Sequence, residues 1–141
     1  MKKYASILLC LCLFCGLAAG CSDKVPDFID LTAMNDTMRT AELTNITSTP
    51  ERYRGKTIKA AGTYQVTYYE QTKQFYHGIL IADAAACCQQ GLEFKWDGTN
   101  RVPEDYPREG TPIEISGVYD SYREMGKTYY YLKVDEIVVV G

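Results

Sequence analysis

The chain has 141 residues, a formal charge of −3, twelve tyrosines, one histidine and six cysteines. That length is one domain's worth, enough to bury a core without staples, and the acidic balance argues against nucleic acid or anionic lipid as a partner. Phosphate-cradling glycine loops, Gly-x-Ser-x-Gly, His-Glu-x-x-His and Asp-x-Asp-x-Asp-Gly calcium loops are all missing from the sequence, which turns the reading away from catalysis and toward a binding role.

Lys2 and Lys3 precede an apolar run from Ala5 to Leu17, then the small residues Ala18, Ala19 and Gly20, then Cys21. An apolar stretch this short with small residues before a cut is a secretory signal rather than a membrane span. The segment Leu17-Ala18-Ala19-Gly20-Cys21 resembles a bacterial lipobox, although Ala18 stands where that pattern prefers leucine. The resemblance implies cleavage after Gly20, lipidation of Cys21 with palmitate-like chains, and a lipid-anchored protein on the extracytoplasmic face of the cell membrane or outer membrane. More than one acyl chain gives firm anchoring, where one alone is marginal. An ordinary cleaved signal followed by a chance cysteine is the alternative. Removing residues 1–20 takes two of the 15 basic side chains and no acidic one, leaving 13 against 18 and a formal charge of −5. Residues 21–37 are expected to be the lipidated N-terminus and a tether, polar over 22–30 and containing Pro26, with the folded domain spanning 38–141.

Met38–Ile46 reads equally as a short strand or a helix, and Thr49-Pro50 favours one helical turn, broken at Gly55. Thr57–Tyr69 is rich in β-branched and aromatic residues and carries Gly62 in its middle, the mark of a bulge or bend. A turn at Glu70–Lys73 leads to a second strand, Gln74–Ala82. Leu92–Trp96 alternates apolar and polar residues as a half-buried strand does. Asp97–Asn100 is a turn and Pro103–Gly110 an irregular connection. Pro112–Tyr122, with Gly117 at a bend, is the fourth strand, and the turn Glu124–Lys127 returns the chain into Thr128–Val140.

Five strands, two of them long and interrupted by glycine, predict an all-β fold: a small five-stranded barrel with a short N-terminal helical turn. An open antiparallel sheet or small sandwich is the alternative. The order resembles an OB-fold, and Pro50, Tyr53, Gly55, Lys56 and Gly62 in "PERYRGKTIKAAGTY" are similar to the opening of many bacterial OB domains.

Cys10, Cys12 and Cys15 leave with the signal, so Cys87 and Cys88 are the mature free thiols. Neighbours in a regular strand face opposite sides, so the pair can cooperate only in a turn or bulge. Four readings stand open. Both are small buried hydrophobes; or they bind zinc or copper with His77 as third ligand and Asp83 or Glu93 as fourth; or they form a strained vicinal disulfide; or one is the nucleophile of a thiol redox enzyme, for which one histidine and no Cys-x-x-Cys offer thin support. The segment Asp83–Trp96, "DAAACCQQGLEFKW", is similar to the Cys-Cys segment of OB-like domains in bacterial permease-associated accessory membrane proteins, where Ala-Ala-Asp follows the pair instead of Gln89-Gln90-Gly91. That resemblance implies an accessory role beside a membrane protein or transporter component rather than catalysis.

The tyrosines offer a rival surface. Tyr64, Tyr68, Tyr119, Tyr129 and Tyr131 are candidates for an interaction face on the barrel, since tyrosine combines a large rigid contact with a polar tip. With no basic groove beside them, no nucleic-acid partner is expected. The scattered carboxylates, Glu124 among them, read as a solvated acidic surface. The reading as a whole is a lipid-anchored, non-enzymatic binding or accessory module, acting through the Cys87–Cys88 loop or, alternatively, through a tyrosine-rich face.

Overall fold

The computed structural model describes residues 24–82, 89–97 and 103–141. Its strands are β1 (Phe28–Asp30), β2 (Thr57–Tyr69), β3 (Gln74–Ala82), β4 (Gln89–Trp96), β5 (Pro112–Glu124) and β6 (Lys127–Val139), with one helix, α1 (Asp36–Ser48). The hydrogen-bonded order is β1-β2-β3-β4-β6-β5, and β5 pairs back onto β2. Five strands therefore close into a mixed barrel with the OB-type order, β1 being an addition at its side. All neighbours are antiparallel except β4 with β6 and β1 with β2. Among the described residues no helix is long and apolar enough to cross a membrane.

Two glycines allow the closure. A Cβ on Gly62 would lie 2.3 Å from the Leu80 carbonyl oxygen, and one on Gly117 would lie 2.4 Å from that of Lys133. At Gly62–Thr63, β2 hands over from β5 to β3. Just before Gly117 the β5–β6 register slips, between Ile115 and Gly117. Backbones that approach this closely have no room for a side chain.

The inward set is the apolar half of each alternation: Ile58, Ala60 and Tyr64; Ile79 and Ile81; Leu92 and Phe94; Ile113, Ile115 and Tyr119; Leu132 and Val134. Helix α1 plugs one end. The Asn35 side chain caps it by accepting the Met38 N–H at 2.9 Å, and Asp36 pairs with Arg39 in its first turn. Leu43 and Ile46, three apart on one face, enter the core with Tyr53, whose hydroxyl donates to Glu42 at 3.0 Å. Gln90, near the start of β4, donates to the Thr44 hydroxyl of α1. Trp96, at the end of β4, meets Tyr106 edge-on, so Tyr106 closes the opposite end.

The N-terminal expectation needs correction. The tether expected over residues 21–37 ends no later than Phe28. From there the chain adds β1 in parallel to Thr57–Lys59, then a 3-10 turn at Leu31–Ala33 that Asp30 caps, and then α1. Ile29 and Leu31 are buried, and Val25 packs against the core. Ile29 and Leu31, at alternate positions, place the apolar side chains of this polar-looking segment in the core, and Lys56 pairs with Asp27 at its start.

Candidate binding cleft

Side chains that point away from the barrel interior build a second assembly on the outside. β2–β3 and β5–β6 continue beyond the barrel as hairpin arms, the second turning tightly at Met125 and Gly126, both with left-handed φ, as a two-residue hairpin turn requires. Between the arms lies a cleft of about 310 Å³ lined by Thr67 and Tyr69 of β2, Tyr76 of β3, Glu93 of β4, Tyr122 and Glu124 of β5, Met125, and Tyr129 of β6. Tyr76, Glu93, Tyr122 and Glu124 are half-buried and form its inner part; the other four are exposed and form its rim. Gly78 sits opposite Glu93 in the β3–β4 ladder and contributes no side chain. There the cleft meets a shallower depression of about 200 Å³, which shares Thr67, Tyr76 and Glu93 and continues past Gly91.

Two tyrosine–carboxylate pairs hold the inner wall. The Tyr122 hydroxyl donates to both oxygens of Glu93, at 2.9 and 3.1 Å. The Tyr76 hydroxyl donates to Glu124 Oε2 at 2.5 Å and lies 2.9 Å from the Thr72 hydroxyl. Burial pushes the Glu93 carboxyl above its ordinary value, and the Glu124 charge adds to this against the Tyr122 hydrogen bond and Lys95. Tyr122 is held strongly protonated by burial and by the Glu93 hydrogen bond, and Tyr76 is raised chiefly by its bond to Glu124. The rings interlock: Tyr69 meets Tyr76 edge-on at 6.5 Å, while Tyr122 stacks on Tyr129 at 5.5 Å and meets Tyr131 edge-on at 5.7 Å. Lys95 places its ammonium 3.3 Å from the centroid of the Tyr122 ring and 4.9 Å from that of Tyr131.

The residues expected to form the site divide between this cleft and the core. Tyr129 lines the cleft and Tyr131 braces Tyr122 behind it. Tyr68 pairs with exposed Phe75 on the other face of the β2–β3 arm. Tyr64 and Tyr119 are 1% and 3% exposed and cannot belong to an interaction face. Their positions alternate with polar neighbours, but on the inward side of the strand. Burial pushes both hydroxyls up to about 12. Tyr69, Tyr76 and Tyr122 were not expected here, and Glu124 was read as one more solvated acid.

Cys21, Asp83, Cys87 and Cys88 lie outside the described residues. His77 and Glu93, expected to join one metal site, are on opposite faces of the sheet. His77 pairs with Phe94 and points inward, whereas Glu93 pairs with Gly78 and points out. His77 also stands five positions before Ala82, about 16 Å along a strand. Its Nδ1 lies 2.6 Å from the Tyr64 hydroxyl, and its ring stacks on Tyr106 at 3.9 Å. Burial lowers the imidazole pKa and so favours the neutral ring, whose Nδ1 shares one proton-mediated contact with the Tyr64 hydroxyl. Among the described residues no three His, Cys, Asp or Glu side chains cluster to hold an ion. Comparison of this chain with protein-family models, curated proteins and solved structures finds no match.

Proposed function

We propose that this protein is a non-enzymatic binding module that captures its ligand in the cleft between the two hairpin arms. The observation that carries the reading is the position and make-up of that cleft. In an OB-type barrel the second and third barrel strands, flanked by the first-to-second and fourth-to-fifth strand loops, form the usual ligand face. Here those parts are β3, β4 and the two arms, and they present four tyrosines around two carboxylates. A pocket near the lower end of the small-molecule range suits a head group or one side chain of a partner rather than a broad docking face. The hydroxyls of Tyr76 and Tyr122 are bonded to carboxylates and strongly protonated, and neither is poised as a nucleophile.

We further propose that lipid on Cys21 holds the module at the extracytoplasmic membrane surface beside a membrane protein or transporter component. Detergent phase partitioning tests the anchor. The native chain is expected in the detergent phase and Cys21→Ser in the aqueous phase. Amide chemical-shift mapping with a panel of amines, short oligosaccharides and peptides tests the cleft. Shifts centred on Tyr76, Glu93 and Tyr122 and lost in Tyr122→Ala support it, whereas shifts centred on residues 83–88 would move the function to the cysteine pair.

A further inference from the structure

From the hydrogen bonding inside the cleft, we infer the chemistry of its ligand: a primary ammonium on an aliphatic chain, seated between the rings of Tyr76 and Tyr122 with the carboxylates of Glu93 and Glu124 as its acceptors. The inference rests on the cleft being the binding site. The inner wall has already committed its donors. Tyr122 gives its proton to Glu93, and Tyr76 gives its proton to Glu124. An ionised carboxylate only accepts, and these tyrosine oxygens have only lone pairs left. The inner wall of Tyr76, Glu93, Tyr122 and Glu124 offers acceptors and π faces, and the donor hydroxyls of Thr67, Tyr69 and Tyr129 belong to the exposed rim. A ligand that fits must bring donors and positive charge and need no donor in return.

An alkylammonium meets those terms: three N–H donors, no acceptor, and a charge that aromatic faces attract. A phosphate or carboxylate ligand would face two carboxylates without a cation inside the cavity. A sugar hydroxyl both gives and takes hydrogen bonds, and at the inner wall could satisfy only the first. The protein supplies an internal precedent, since Lys95 rests its own ammonium on Tyr122 and Tyr131 just outside the cavity. The mutual repulsion of Glu93 and Glu124, which helps hold the Glu93 carboxyl high, is relieved when a cation lies between them.

A free amine and the lysine side chain of a polypeptide share this chemistry. The test titrates the full-length protein with Nα-acetyl-lysine-N-methylamide, its uncharged norleucine counterpart, 1,5-diaminopentane and a neutral oligosaccharide, following amide shifts. Both amines are expected to shift Glu93, Tyr122 and Glu124, with the norleucine compound weaker by about tenfold or more. Glu93→Gln and Glu124→Gln, both near-isosteric, should each weaken amine binding several-fold, by an amount that shrinks in high salt. Tighter binding of the lysine compound than of the diamine would assign the ligand to a polypeptide, and the reverse to a free amine. Equal binding of the norleucine compound, or oligosaccharide binding in the cleft without amine binding, overturns the ammonium inference and leaves the cleft as the site. Shifts confined to other parts of the protein, or none with any probe, overturn both.

Discussion

Neighbouring residues of the same strands build two aromatic assemblies with opposite purposes. Inside, Tyr64, His77, Phe94 and Tyr106 pack ring on ring, and the Tyr64 hydroxyl meets His77 Nδ1 at 2.6 Å. Outside, Tyr76, Tyr122 and Tyr129 surround Glu93 and Glu124 and leave a cavity between them. Tyr76 precedes His77 and Glu93 precedes Phe94, so one residue step separates the core from the cleft. The inner rings pack on one another, while the outer hydroxyls of Tyr76 and Tyr122 donate to carboxylates that border an open cavity. Aromatic content alone therefore says little about recognition. What distinguishes the two assemblies is which polar group each ring serves.

Adjacent positions of β4 carry the largest contrast. Phe94→Ala removes a ring with no exposed surface and is expected to cost about 3–5 kcal/mol in urea unfolding, whereas Glu93→Gln should leave the fold at least as stable at neutral pH, because a desolvated carboxylate is lost. A Phe94→Ala cost of under about 1 kcal/mol would mean that the interior aromatics are not the core. Gly117→Ala, which forces a methyl group against the Lys133 carbonyl, should cost about 1–3 kcal/mol and disturb the β5–β6 arm.

Acid sharpens the contrast further, because the two assemblies titrate with opposite sign. Unfolded His77 binds a proton near 6.5, while the buried ring resists it to lower pH. Stability is therefore lost as pH falls from about 6.5 through the folded value. Glu93 takes its proton at higher pH folded than unfolded, so its contribution rises as pH falls through that folded value and is complete below the ordinary carboxyl value of 4.5. Chemical denaturation across pH 4–7 should show the loss reduced in His77→Phe and the gain removed in Glu93→Gln. Tyr122→Phe should change stability by about 1 kcal/mol, while raising the Glu93 carboxyl further, readable by carboxyl-carbon NMR titration. The smallest effect is expected from Tyr68→Ser: on the far face of the arm, it should leave ligand shifts in the cleft unchanged.

Strand placement was legible because β-branched and aromatic runs sit between strong turn signals. Thr57–Tyr69 and Gln74–Ala82 carry the same bounds in sequence and structure, and Gly62 and Gly117 marked the bends. The helix was not, because Asp36–Ser48 carries four threonines and a weak apolar stripe, and its placement depends on Leu43 and Ile46 finding the barrel end. The cleft was legible only in composition. Glu93 drew attention for its distance from the cysteines, yet it acts with Tyr122, 29 residues later. Alternation within β2 separates Tyr64 and Tyr68 from Tyr69, but the register slip between Ile115 and Gly117 hides which tyrosines of β5 and β6 share a wall with Tyr76.

The pairing of β6 between β4 and β5 also sets the timing of assembly. β6 runs parallel to β4 through Glu93–Tyr131 and Trp96–Val134, so these strands cannot meet until β5 has been made and folded back. The barrel closes with β6, the last of its five strands in chain order, through contacts distant in sequence, the kind that slow folding. A chain still emerging from a ribosome or export channel would expose the unpaired edges of β4 and β5 until residue 139 is free. The same final event completes the cleft, because Tyr129 and the second hairpin arm arrive with β6.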